Sequence, residues 1–225
     1  MIAENLASVR QRVARSCEKS GRSPDSVRLV CVVKEASPED AQAVLGLGVK
    51  DLGENRVQEL VSKYGVIGDK AAWHLVGHLQ TNKAKEAVRI SSLIHSVDSV
   101  KLAKEIDKEA KKIGKTQDIL IQVNVSGEAT KFGVTPDEAV SLIKEISLYP
   151  NISIKGLMTI APEAEDQETV RSYFRALREL RDRLNESRIT NHESRELSMG
   201  MTNDFEVAIE EGATMVRIGR AIFQK

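Results

Sequence analysis

The sequence predicts an α/β fold, a single (β/α)8 barrel of the TIM type with an extra N-terminal helix, as one domain over residues 1–225. Three observations carry this prediction. Short apolar runs and helix-period segments alternate eight times along the chain with short connections, the pattern of parallel strands joined by crossover helices. The run 29–33 is apolar throughout, which suits a strand covered on both faces. The length, 225 residues, lies in the lower part of the range of about 200 to 400 residues that such barrels occupy.

The elements follow in order. Ile2, Leu6, Val9 and Val13 repeat at helical spacing, so residues 2–19 form the extra helix, closed by Ser20-Gly21-Arg22-Ser23-Pro24. Residues 29–33, rich in β-branched side chains, are the first strand and run straight into Lys34. Ser37-Pro38-Glu39-Asp40 opens a helix that Gly48 ends. A brief strand over 49–53 leads through Glu54-Asn55 to a helix at 56–60. Strands at 72–77 and 93–97 are followed by helices from about Ala84 and from Ser99 to Ile113; the latter has Leu102, Ala103, Ile106 and Ala110 on one face. Residues 118–125 are the clearest strand, and Pro136 stands at a favourable early position of the next helix. A strand at 152–158 and a long charged helix at 166–184 follow. The polar stretch 185–195 connects to a weak strand at 196–200, a short helix at 204–210 and the last strand at 214–219.

Composition excludes several classes. The chain is 41% hydrophobic and 29% charged, with 33 basic and 33 acidic residues, so bulk charge offers nothing to nucleic acid or to an anionic membrane. No apolar run is long enough to span a bilayer, and no signal-peptide core follows Met1. Cys17 and Cys31 lack metal-ligand spacing and read as free thiols of a cytoplasmic protein. No two histidines are spaced for a metal. His74 and His95 lie inside strands and read as core residues; His78 is nearer a strand end, and His192 falls in the polar connection.

Chemistry in a barrel gathers at the C-terminal ends of its strands. That rim collects Lys34, Glu54, Asn55, Gly77, His78, Asn124, Met158, the run Ser198-Met199-Gly200 and the run Arg217-Ile218-Gly219-Arg220. A lysine held there with little water around it has its pKa lowered and attacks aldehydes. The glycine-containing turns after strands seven and eight suit a phosphate bound by backbone amides. An amine and a phosphate cradle on one rim suggest a phosphorylated aldehyde, and pyridoxal 5'-phosphate (PLP) is the leading candidate.

The sequence resembles the pyridoxal phosphate homeostasis protein family, single-domain barrels related to the barrel domain of bacterial alanine racemase. The matching blocks are Val33-Lys34, Gly53-Glu54-Asn55, the run from Trp73 to Lys83, Gln122-Val123-Asn124, Lys131-Phe132-Gly133, Gly156-Leu157-Met158, the run from Leu197 to Asp204 and Met215-Val216-Arg217-Ile218-Gly219. They cover nearly the whole chain in the family's order. The resemblance implies that Lys34 holds PLP as a Schiff base and that Arg217 faces the pyridine nitrogen. It implies that Ser198, with backbone of Met199, Gly219 and Arg220, holds the phosphate, and that Asn55 and Met158 line the ring. Three positions depart from the family pattern: Val33 and Glu35 flank the lysine where hydroxyl residues are usual, and Arg220 replaces a threonine or alanine.

Two function classes share this cofactor. One is a carrier that buffers or delivers PLP to apoenzymes; the other is an amino-acid racemase. PLP stabilises carbanions best when its ring nitrogen is protonated by a carboxylate partner, and an arginine cannot accept that proton. A racemase also needs a second acid–base group opposite the lysine, and Tyr64, Tyr149 and Tyr173 all fall away from the predicted rim. The expectation is therefore a cytoplasmic, monomeric PLP carrier that does not catalyse.

Overall fold

In the computed structural model, which describes residues 1–164, 166–187 and 195–224, eight parallel strands close into a barrel in sequence order. They are β1 (Arg28–Val32), β2 (Asp51–Glu54), β3 (Ala72–Leu75), β4 (Leu93–Val97), β5 (Gln117–Gln122), β6 (Ile152–Met158), β7 (Glu196–Ser198) and β8 (Met215–Ile218). Closure comes from the β1–β8 pairing, with Val30 opposite Arg217 and Cys31 opposite Ile218. The helices are α1 (Ile2–Lys19), α2 (Pro38–Gly46), α3 (Val57–Ile67), α4 (Ala84–Ile90), α5 (Val100–Lys112), α6 (Pro136–Ile146), α7 (Arg171–Glu186), α8 (Phe205–Glu210) and α9 (Arg220–Phe223).

Local chemistry sets several helix starts. Ser37 and Ser99 accept hydrogen bonds from Asp40 N–H (3.1 Å) and Leu102 N–H (3.3 Å). Thr135 and Glu138 cap α6 reciprocally. Expected and observed limits differ at a few ends. β1 stops at Val32, so Lys34 lies on a turn beyond it. The helix expected from residue 166 begins as a 3-10 turn, Gln167–Val170, capped by Asp166. Residues 188–194, most of the polar connection and including His192, lie outside the described residues.

Strand alternation divides the core in two. One face of each strand meets the helices in a large apolar layer that includes Leu52, Trp73, Leu75, Ile94, Ile119, Leu157 and Val216. The other face fills the barrel, where Val30, Val32, Val76, Leu93, Leu120, Met158 and Met215 cluster. Both cysteines are free and buried, and burial pushes the Cys31 thiol up to about 12. No helix among the described residues is long and apolar enough to cross a membrane.

Candidate functional site

Counting by twos from the inward residues locates the site. Val30 and Val32 precede Lys34; Asp51 and Gly53 precede Asn55; Met215 precedes Arg217. Met158 and Arg217 therefore face the barrel interior, and Lys34 and Asn55 stand on the turns just past the ends of β1 and β2. Lys34 and Asn55 line one cleft of about 300 Å³ with Glu35, Glu54, Arg56 and Glu59. The turn after β8 reaches the same side: a Cβ on Gly219 would lie 2.7 Å from the carbonyl oxygen of Val32, a position only glycine fits.

The expected shielding of Lys34 is not found. Its side chain is 45% exposed, and its Nζ lies 3.4 Å from Glu35 Oε1. The cause is its place on a turn past β1, above the packed interior. Below it the structure is tightly held. Lys63 of α3, buried, donates to the Val33 carbonyl (2.6 Å) and to Glu54 Oε1 (2.5 Å), while Asn55 N–H donates to Glu54 Oε2 (3.2 Å). Burial raises the Glu54 pKa, against the opposing pull of Lys63.

Arg217 is buried among the strands. Its Nη1 donates to Ser198 Oγ (2.6 Å) and its Nη2 to the Thr159 carbonyl (2.8 Å). Burial lowers its pKa to about 10, with Asp204 acting in the opposite direction, so it stays a cation at neutral pH. A guanidinium carries five N–H groups, and those beyond these two bonds have no acceptor among the described residues.

Two expected phosphate contacts are committed elsewhere. The Ser198 hydroxyl is buried between Arg217 and His95, whose Nδ1 lies 2.9 Å away. Met199 N–H donates to the Met215 carbonyl at 3.1 Å, inside the sheet. Both groups, expected on the phosphate, are thus engaged within the fold: Ser198 faces Arg217 and His95, and the Met199 side chain lies in the helix layer. Arg220 lines a separate depression with Arg12, Thr202 and Asn203. His78 stacks on Phe132 (centroids 3.9 Å, 13°) with Asp98 at 3.7 Å. Tyr64 and Tyr173 stand on α3 and α7, and Tyr149 between α6 and β6, and none of them lines the Lys34 cleft. No cluster of three or more metal-ligating groups occurs among the described residues.

The fold and site define the class: a (β/α)8 barrel with an amine on its rim and a buried arginine in its interior. Residues 2–225 match the family model described as alanine racemase, N-terminal domain. The chain is 48% identical over 221 residues to the pyridoxal phosphate homeostasis protein of Aquifex aeolicus, covering 98% of this chain and 96% of that one. Among solved structures, an unknown protein from Bifidobacterium adolescentis superposes with a TM-score of 0.94 at 36% identity, covering 99% and 94% of the two chains. PipY of Synechococcus elongatus, with PLP bound, superposes with a TM-score of 0.87 at 33% identity, covering 99% and 100%. The chain belongs to the alanine racemase N-terminal domain family and, within it, to the pyridoxal phosphate homeostasis proteins.

Sequence reasoning missed Lys63, Asp51, His74 and His95 as parts of this region. A usable signal was present for the last three: polar residues at inward positions of strands otherwise apolar.

Proposed function

We propose that this protein binds PLP on its rim as a Schiff base with Lys34 and serves intracellular PLP homeostasis by buffering or delivery, without robust catalysis of its own. The observation that carries it is Arg217, a buried cation with N–H groups lacking acceptors, in the interior of a barrel with a lysine on its rim. A pyridine nitrogen lone pair is the acceptor such a group seeks. The residues fit PLP group by group: Lys34 for the aldehyde, Arg217 for the ring nitrogen, Asn55 and Met158 for the ring, and backbone amides of Gly219 and Arg220 for the phosphate. Ser198 and Met199 form the inner wall rather than phosphate ligands. Likeness to a relative with PLP bound supports this reading.

When bound, PLP would supply an electrophilic aldehyde and an electron sink. This chain's contribution is to keep the sink weak. Arg217 donates to the ring nitrogen and gives it no proton, and no tyrosine lines the Lys34 cleft as a second acid–base group. The protein thereby buffers PLP or delivers it, with PLP-dependent apoenzymes as the recipients in the second case.

The absorbance spectrum before and after borohydride, followed by peptide mapping, is the decisive test. Protein incubated with PLP should show a visible band that borohydride abolishes while fixing the cofactor on Lys34. Lys34→Ala should lose that band; a normal band in this variant refutes the assignment. Incubation with alanine should give no steady turnover, and robust racemisation refutes the carrier reading. Arg217→Glu should shift the spectrum toward the ring-protonated form.

A further inference from the structure

The barrel interior holds a line of polar side chains that ligand contact does not explain. It begins at Arg217 on β8, passes through Ser198 on β7, His95 on β4 and His74 on β3, and ends at Asp51 on β2. The links are Arg217 Nη1 to Ser198 Oγ at 2.6 Å, Ser198 Oγ to His95 Nδ1 at 2.9 Å, His95 Nε2 to His74 Nδ1 at 2.9 Å and His74 Nε2 to Asp51 Oδ1 at 2.9 Å. Ser198 and both histidines are at most 1% exposed. Asp51, at the start of β2, opens onto a cavity of about 320 Å³ at the opposite mouth of the barrel. Arg28, Asp118, Lys155 and Glu196 also line that mouth.

Donor and acceptor counting fixes the direction of the line. Arg217 can only donate and the Asp51 carboxylate can only accept. His74 must therefore carry a proton on Nε2. With that single proton, its Nδ1 accepts from His95 Nε2–H, and His95 Nδ1 accepts the Ser198 hydroxyl proton. Each link between Arg217 and Asp51 then has one donor and one acceptor. If His74 carried both protons, His95 would have to hold its proton on Nδ1 and donate to Ser198. Ser198 would then accept twice, and its own buried proton would have no acceptor among the described residues, which disfavours that arrangement. Burial, with His74, Arg217 and Arg28 adding, lowers the His95 pKa well below its ordinary value, which keeps that ring neutral.

We propose that Asp51, His74, His95 and Ser198 form a one-directional hydrogen-bond wire through the barrel, and that they are positioning residues which fix the Arg217 guanidinium for its contact with the cofactor ring. The inference rests on the proposed PLP site and deepens it. A group that donates in such a chain becomes itself a better acceptor. Ser198 Oγ, having given its proton toward Asp51, grips Arg217 more strongly and holds its remaining N–H groups in place. Asp51 thereby acts on the cofactor from the far end of the barrel.

The first measurement needs no cofactor. Imidazole nitrogen NMR of the PLP-free protein should show His74 and His95 each with one proton, on Nε2. A doubly protonated His74 or a proton on Nδ1 of either ring overturns the wire. The second compares Ser198→Ala and Asp51→Ala, the latter at a partly exposed position, with far-UV circular dichroism confirming that each variant is folded. Loaded with PLP, both should shift the visible band in the same direction, and Ser198→Ala should weaken PLP binding about tenfold. Inorganic phosphate should compete equally well against wild type and Ser198→Ala, because the hydroxyl serves the wire. An unchanged band and affinity in Asp51→Ala would overturn the positioning role. Weakened phosphate competition in Ser198→Ala would overturn its assignment. Wild type that shows the tautomers and fails to bind PLP would overturn the proposed function instead.

Discussion

Lys63 shows what a single residue does here that the sequence does not advertise. On paper it is the one lysine of α3, which has a single other charge, Glu59; in the fold it is buried, with its ammonium on Glu54 and on the carbonyl just before Lys34. Replacing it leaves Glu54 buried without its partner. Lys63→Met should therefore cost about 3–5 kcal/mol in urea unfolding, and adding Glu54→Gln should recover most of the loss. A loss below about 1 kcal/mol would contradict the pairing. Lys34 was legible as a candidate because it is a charge closing an apolar run, and Arg217 through the family motif Met215-Val216-Arg217-Ile218-Gly219. His74 and His95, though visible as polar residues inside apolar strands, were read as core residues, because a histidine inside a strand looks the same whether it meets one partner or links two. The partners that distinguish these cases sit on other strands.

At the scale of elements, capping chemistry was readable and docking was not. Thr135-Pro136-Asp137-Glu138 announces α6 by itself. Nothing local announces that α1 is clamped to α8, yet Arg12 donates twice to Glu206 (3.0 and 2.8 Å) and lies over the Phe205 ring at 4.6 Å. The Arg12 hydrogen bond holds the Glu206 pKa below its ordinary 4.5. A depressed carboxylate stabilises the fold above the unfolded value and stops doing so as pH falls through the folded one. Arg12→Ala should thus cost about 1 kcal/mol at pH 7. The gap between the two proteins should close at pH values well below 4.5 in denaturation curves; a constant gap would refute the clamp. α9 escaped detection because four residues carry too little periodicity.

For the molecule as a whole, closure is the property with consequences. The β1–β8 pairing joins the chain's ends, and one apolar layer runs between barrel and helices, with Trp73 buried within it. We expect one domain and one transition. Fluorescence of Trp73, the sole tryptophan, and far-UV circular dichroism should give coincident urea midpoints. Separate midpoints would divide the chain into parts that fold independently.

The sequence by itself determined the order of strands and helices, the barrel class and the family, because periodicity, caps and motif blocks are written along the chain. Only the tertiary structure decided that Lys34 stands half in solvent, that Ser198 turns inward to Arg217, and that Asp51 reaches that arginine through two histidines. The physical reason is that hydrogen bonds and burial depend on residues far apart in sequence. Ser198 and His95 are separated by 103 positions and meet at 2.9 Å only once the barrel closes.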